Sequence, residues 1–185
     1  MRAAGVMLYD FPDLYDALLP ASVAQVNFYC NLARVRAGSV LELACGSGQL
    51  IVPIAAQGWA ATGLDLSAKM LAAAQRRAAA AAVQVKYIEA EMRDFNIGRH
   101  FSFIFIARNS LLHLIELDDF AAFFSAVRHH LEPGGVLAFD VFNPSPQVVA
   151  RPSEDRFRSA PRVRSTSGAA RCGADRGLGR AEWER

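Results

Sequence analysis

Two short segments carry the residues best suited to chemistry, VLELACGSGQL at residues 40–50 and GLDLS at residues 63–67. In the first, an apolar run ends in a glycine-rich turn. Gly46 and Gly48 let the backbone turn sharply and come close to a ligand, because no Cβ blocks positive φ or contact distance. The helix expected next aims its free N–H groups at that ligand, which suits a carboxylate or another electron-rich group. In the second segment, the Asp65 carboxylate falls about twenty residues after the turn, where a doubly wound sheet places an acid to accept hydrogen bonds from ribose hydroxyls. Together the two segments read as a nucleoside pocket. A tight strand-to-helix turn without a ligand is the alternative for the glycines alone, and the spacing to Asp65 argues against it. A dinucleotide loop is disfavoured, since Ala44, Gly46 and Gly48 give A-x-G-x-G and Gln49 stands where a third glycine would fall.

Other reactive residues form no recognisable Ser/His/Asp or Cys/His constellation. Cys30, Cys45 and Cys172 have no metal-ligand spacing, so no metal is expected, and the odd thiol fits a reducing compartment. Cys45 lies in the glycine turn and reads as a small packed thiol, because no basic partner is near it in sequence. His113 and Arg108 follow the fourth expected strand, at the carboxyl edge where doubly wound sheets bind ligands, and either can face an acceptor. For His113, a ring hydrogen-bonded at the pocket wall competes with general-base work, since no orienting carboxylate is evident. Asp118 and Asp119 can start a helix. His129 and His130 end it, where a cationic or exposed imidazole is favoured. Asp140 falls inside the fifth strand and receives no role.

The elements that must hold these residues follow from periodicity. Residues 8–33 alternate apolar and polar positions at helical spacing, broken at Pro12 and Pro20, and predict one or two covering helices. Strands are expected at Val40–Leu43, Ala60–Leu64, Val83–Ile88, Phe101–Ile106 and Val136–Phe142. Helices are expected at Gln49–Gln57, closed by Gly58, from an N-cap at Ser67 through Met70 to about Ala82, and at Leu117–Leu131 before an E-P-G-G turn. FSFIFI reads as a central parallel strand covered on both faces. Alternating strands and helices with short connections predict a doubly wound, Rossmann-like three-layer α/β sandwich of parallel strands in the order 3-2-1-4-5.

Glu42, Ala44, Gly46 and Gly48 resemble the first motif of class I S-adenosylmethionine-dependent methyltransferases, E/D-x-G-x-G-x-G, with alanine at the first glycine. EMRDF at 91–95, SLLHL at 110–114 and LEPGGVLAFDVFNP at 131–144 follow in that family's order. The chain is most similar to small bacterial members of the methyltransferase-domain-25 type. The resemblance implies S-adenosyl-L-methionine as cofactor and a small-molecule acceptor. It implies that the backbone at Ala44, Cys45, Gly46 and Gly48 faces the methionine portion, with Glu42 the acid of the motif. Asp65 would hold the ribose, and Leu66 and Met92 the two faces of the adenine, with Met70 beside them. Glu91, where relatives commonly carry aspartate, would reach the adenine amino group, and the backbone at Ala107 would close the site. For Leu66 and Met92, ordinary core packing is the alternative. The sulfonium donor is already activated, so the protein need only align donor and acceptor and exclude water. A catalytically inactive nucleoside-binding remnant or binding module is the competing function, and a nicotinamide-dependent oxidoreductase is opposed by the missing third glycine.

Composition bounds the rest. The chain has 185 residues, is 52% hydrophobic and carries a formal net charge of +2, as expected of a globular domain with a real core. The positive charge sits in residues 151–185, with nine arginines against five acids, while the body is mildly acidic, so nucleic-acid binding is not indicated. No long apolar run occurs, and acids occupy the stretch where a signal peptide would be apolar, so a cytoplasmic protein without a membrane span is expected. Oligomeric state is left open. Residues 1–150 are expected to form the cofactor-binding core. Residues 151–185 hold only Phe157, Val163, Leu178 and Trp183 as large apolar side chains, and are expected to be disordered. Their Arg, Ala, Gly and Ser mixture suits translation in a shifted reading frame or a natural basic extension. The core would then lack the family's final two strands, with the fifth strand unpaired on its outer side and stability lowered.

Overall fold

The computed structural model describes residues 7–36 and 38–143. A 3-10 turn at Leu8–Asp10 leads into α1 (Pro12–Leu18) and α2 (Val23–Arg36). The alternating part follows as β1 (Ser39–Leu43), α3 (Ile51–Ala55), β2 (Ala60–Asp65), α4 (Ala68–Ala80), β3 (Val85–Glu89), β4 (Phe101–Ile106), a second 3-10 turn (Ser110–His113), α5 (Leu117–His130) and β5 (Leu131–Phe139). The strands form one sheet in the order β3-β2-β1-β4-β5, every pair parallel. This is the Rossmann-like order that the alternation predicts.

Two cores explain the layers. Phe103 and Phe105 of β4 pack with Val40 of β1, with Val26, Tyr29 and Ala33 of α2, and with Ile51 and Ile54 of α3. Ile104 and Ile106 face the other way and pack with Leu41, Leu43 and Leu64 under Phe123 and Val127 of α5. The period-2 alternation of a strand therefore serves two apolar layers at once, which is why FSFIFI reads as continuously apolar. Ser67 caps α4, its hydroxyl accepting from the Met70 N–H at 3.3 Å.

Several boundaries move. α3 is five residues long instead of spanning 49–57, because the glycine turn extends through Leu50 and Pro53 occupies its third position. The E-P-G-G segment does not precede β5 but lies within its span. Leu131 already pairs with Phe101, Val136 pairs with Phe103, and the residues between bulge out through Gly134 at φ 78°. β5 ends at Phe139, opposite Ile106 at the end of β4, and Asp140 stands just beyond the strand. Asp118 and Asp119 occupy the first turn of α5 without a side-chain cap, and Asp119 instead pairs with Arg93 at 2.5 Å. His130 is buried, with Nε2 accepting from the Ile97 N–H at 3.1 Å and Nδ1 lying 2.8 Å from the Ala126 carbonyl, so it bridges two backbone groups inside the core and is not exposed at the helix end.

Among the described strands β5 pairs only with β4 and forms the sheet edge. The expected tail over 151–185 and the domain boundary at 150 lie outside the described residues. Among the described residues no helix is long and apolar enough to cross a membrane.

Candidate functional site

A cavity of about 480 Å³ opens at the carboxyl ends of β1 and β2, a size suited to a small organic ligand. Its floor is Ala44 and Gly46 after β1, with Leu64, Asp65 and Leu66 at the end of β2. Met70 comes from α4, and Glu91, Met92 and Arg93 from the loop after β3. Arg108, Ser110, His113 and Leu114 form the side beyond β4, and the N-terminal segment contributes Met7, Tyr9, Asp10 and Tyr15. The topology thus brings Ala44, Gly46, Asp65, Leu66, Met70, Glu91, Met92, Arg108 and His113 to one concavity. Glu42, Cys45, Gly48 and Ala107 lie outside its lining, in the layer behind it.

The turn is built from left-handed residues, Ala44 at φ 52°, Gly46 at φ 53° and Gly48 at φ 77°. The two glycines do different work. A Cβ on Gly46 would meet nothing within 4 Å, so that backbone faces open space. A Cβ on Gly48 would stand 3.1 Å from the Ala74 Cβ and 3.2 Å from the Val52 Cγ2, so its bareness lets α4 pack on the turn. Asp65 ties the turn to β2, with Oδ2 accepting from the Gly46 N–H at 2.7 Å and Oδ1 from the Ser67 N–H at 2.8 Å. From outside, Asp16 of α1 accepts from the Ser47 hydroxyl, the Gln49 amide and the Arg77 guanidinium, while Arg77 Nε donates to the Ser47 carbonyl at 2.9 Å. Ala44 holds a conformation that glycine adopts without a Cβ penalty, so Ala44→Gly is expected to stabilise the fold by about 1 kcal/mol, read by thermal or urea unfolding.

Burial shifts two acids in and behind the cavity wall, Asp65 and Glu42, toward their protonated forms. Glu42 is enclosed in the central strand, its carboxyl pushed well above the usual carboxylate range by desolvation, and Oε2 has no hydrogen-bond partner. Burial also raises Asp65, opposed by the N–H groups of Ser67, Gly46 and Leu66. A folded state that holds these protons more tightly than the unfolded chain is most stable at low pH. Its advantage begins to fall above the unfolded carboxylate value of about 4 and is lost as pH rises through the folded values. Glu42→Gln is therefore expected to flatten this decline and raise the melting temperature at neutral and higher pH. An unchanged pH profile of the melt would show that Glu42 ionises freely. Burial pushes the Cys45 thiol well up too, and its Sγ fills the space beside Gly63, where an added Cβ would lie 2.8 Å away. That thiol packs and is not a nucleophile.

The open side of the cavity is polar and aromatic. The Tyr9 hydroxyl lies 2.9 Å from His113 Nε2, and the Arg108 guanidinium sits 5.3 Å over the Tyr15 ring. Glu91 is engaged by Arg93 at 2.7 Å, which holds its carboxyl below the usual range, and Arg93 also grips Asp119, so a ligand reaching Glu91 meets an ion pair. Sequence reasoning missed Tyr9, Tyr15, Asp16 and Arg93. A signal for the N-terminal contacts exists in the i, i+3 spacing of Asp10, Asp13 and Asp16, which face Lys69, Arg76 and Arg77 of α4.

A family model for the methyltransferase domain matches residues 40–135, from β1 through the bulge in β5. The chain belongs to the methyltransferase-domain family. Among similar proteins of this family, YqeM of Bacillus subtilis is 31% identical over 138 residues, 73% of this chain and 56% of that protein. The Streptomyces venezuelae dTDP-3-amino-3,4,6-trideoxy-alpha-D-glucopyranose N,N-dimethyltransferase is 30% identical over 138 residues, 71% of this chain and 56% of that enzyme. Among solved structures, the glycopeptide N-methyltransferase MtfA complexed with S-adenosyl-L-methionine is 31% identical with a TM-score of 0.56, over 62% of this chain and 53% of that one. The chain spans about half the length of the curated relatives it matches. As a methyltransferase domain, it places its glycine turn, its β2 acid and its open cavity at the carboxyl edge of the sheet, where doubly wound folds bind ligands. Among the described residues no group of three or more His, Cys, Asp or Glu is placed to hold a metal.

Proposed function

We propose that this chain binds S-adenosyl-L-methionine in the cavity between β1 and β2 and directs methyl transfer to a small-molecule acceptor, in the cytoplasm. One observation carries the reading. The left-handed turn at Ala44–Gly46 opens onto a cavity whose next wall is Asp65, with Leu66, Met70 and Met92 as its apolar surfaces. The fit is supported by the empty space where a Gly46 Cβ would stand, which leaves room for a ligand against the backbone. Family membership and a similar structure complexed with the cofactor support it further. The buried Cys45 thiol suits a reducing compartment.

When bound, the cofactor supplies a methyl group on a sulfonium, a good leaving arrangement that needs no covalent enzyme intermediate. Asp65 accepts from the ribose hydroxyls with the lone pairs left beside its bonds to Gly46 and Ser67. Leu66, Met70 and Met92 enclose the base. Tyr9 and Tyr15, brought over the opening by the N-terminal segment, exclude water and narrow the approach. Tyr9 fixes the His113 imidazole through Nε2, and in the tautomer whose Nε2–H donates to the Tyr9 oxygen, Nδ1 is left to take a proton from an acceptor that must lose one.

Amine-bearing sugars are the first acceptors to test, because the Streptomyces venezuelae relative is named for dimethylation of an amino-sugar nucleotide. The full chain is incubated with S-adenosylmethionine and a panel of amino sugars, small amines and phenols, and S-adenosylhomocysteine is quantified. The reading expects acceptor-dependent S-adenosylhomocysteine above a protein-free control. A folded sample that neither binds S-adenosylhomocysteine in calorimetry nor forms it contradicts the reading.

A further inference from the structure

β4 delivers the chain to the open side of the cavity through two consecutive left-handed residues, Arg108 at φ 60° and Asn109 at φ 63°, neither of them glycine. Such a pair persists only where surrounding contacts over-determine it. Arg108 has its own, stacking over Tyr15 and donating to the Leu19 carbonyl. Asn109 is held by the residue that follows β5. Its backbone N–H donates to Asp140 Oδ1 at 2.9 Å, a charge-assisted bond, and Asp140 Oδ2 accepts from the Tyr29 hydroxyl at 2.9 Å. Tyr29 is buried in α2, its ring stacked on Phe105 of β4 at 4.6 Å, so the far end of this bracket is fixed in the core.

Immediately after Asn109 the chain enters the 3-10 turn Ser110–His113, which brings Ser110 and His113 to the cavity and sets His113 Nε2 against the Tyr9 hydroxyl. Asn109 is the N-cap of that turn without a side-chain cap bond, so its backbone conformation decides where the turn points. We infer that Asp140 is a positioning residue: by locking Asn109 in the left-handed conformation against the Tyr29 anchor, it sets the Ser110–His113 turn and thereby the acceptor side of the cavity. Asp140 itself does not line the cavity, and it acts through the backbone alone. The inference rests on the cavity being the methyl-transfer site proposed above, while the geometry it concerns can be measured without any acceptor.

The test uses the full chain with Asp140→Ala, Asp140→Asn and the double change Asp140→Ala with Asn109→Gly. The readout is the His113 ring-proton resonance, identified by its loss in His113→Gln. Asp140→Ala is expected to shift that resonance away from its position in the parent protein, because the turn leaves Tyr9. S-adenosylhomocysteine affinity is expected to stay near that of the parent, because the cofactor surfaces lie on other elements. Asp140→Asn keeps an acceptor oxygen and is expected to preserve the resonance. Asn109→Gly removes the Cβ penalty that Asp140 offsets, so adding it is expected to return the resonance toward the parent position. A His113 resonance unmoved by Asp140→Ala in a folded protein overturns the inference, as does a shift that neither Asp140→Asn nor Asn109→Gly reverses. If Asp140→Ala does not fold, Tyr29→Phe supplies the same test, since freeing the carboxylate from its anchor must also move the resonance. Failure of the parent protein to bind S-adenosylhomocysteine overturns the functional reading instead, and leaves the coupling of Asp140 to His113 to be decided by these spectra.

Discussion

Asp65→Ala is expected to weaken S-adenosylhomocysteine binding by about 1.5–3 kcal/mol, about 10- to 150-fold in Kd, as charge-assisted hydrogen bonds to the ribose are lost. The structure adds a second reason. The same carboxylate receives the Gly46 and Ser67 N–H groups, so its removal unties the glycine turn from the end of β2 and leaves two donors to find water. Asp65→Asn keeps acceptor oxygen but loses charge, and should fall between. Calorimetric titration of folded variants measures this directly, and unchanged affinity in Asp65→Ala would remove Asp65 from the site.

The second large effect separates the two glycines of the turn. Gly48→Ala forces a Cβ to 3.1 Å from the Ala74 Cβ at φ 77°, so left-handed strain and overpacking against α4 act together. Their sum, about 2–5 kcal/mol, is a large part of the stability of a domain this size and should lower the melting temperature strongly. Gly46→Val carries left-handed strain too, made worse by β-branching, but its Cβ points into open space. Its stability loss should be the smaller, and its loss of S-adenosylhomocysteine affinity the larger, because the new side chain occupies the ligand's place. Equal affinity of Gly46→Val and the parent protein would show that the backbone does not approach the cofactor there.

Much of the sheet was legible because parallel strands buried on both faces announce themselves as short apolar runs, and β4 begins and ends at Phe101 and Ile106 as the pattern reads. The A-x-G-x-G turn and the Asp65 spacing were legible for a related reason, since both are local constraints on backbone shape. Local reasoning failed where a boundary depends on a partner. The length of α3 is set by how the turn packs and by Pro53, and the start of β5 by pairing of Leu131 with Phe101, which no periodicity within 131–139 reveals. It failed again over the N-terminal side of the site. Asp16 reaches Arg77, and Tyr9 reaches His113, contacts whose partners are separated by most of the intervening fold. An amphipathic reading of residues 8–33 gives helices but not which face covers a cavity. Glu42 was legible as the acid of a motif, yet its place behind the lining, enclosed and pushed toward the neutral form, follows only from its position in the central strand.

The central claim is that the Ala44–Gly46 turn and Asp65 form the floor of a cofactor pocket covered by the N-terminal segment. Its most direct test is the backbone amide spectrum of the full chain titrated with S-adenosylhomocysteine. Saturable shifts at Gly46, Leu66 and Met92, accompanied by Tyr9 and with Arg99 and Arg128 at the opposite edge of the sheet unmoved, are the predicted result. A folded chain whose Gly46 and Leu66 amides stay fixed at saturating S-adenosylhomocysteine would contradict it.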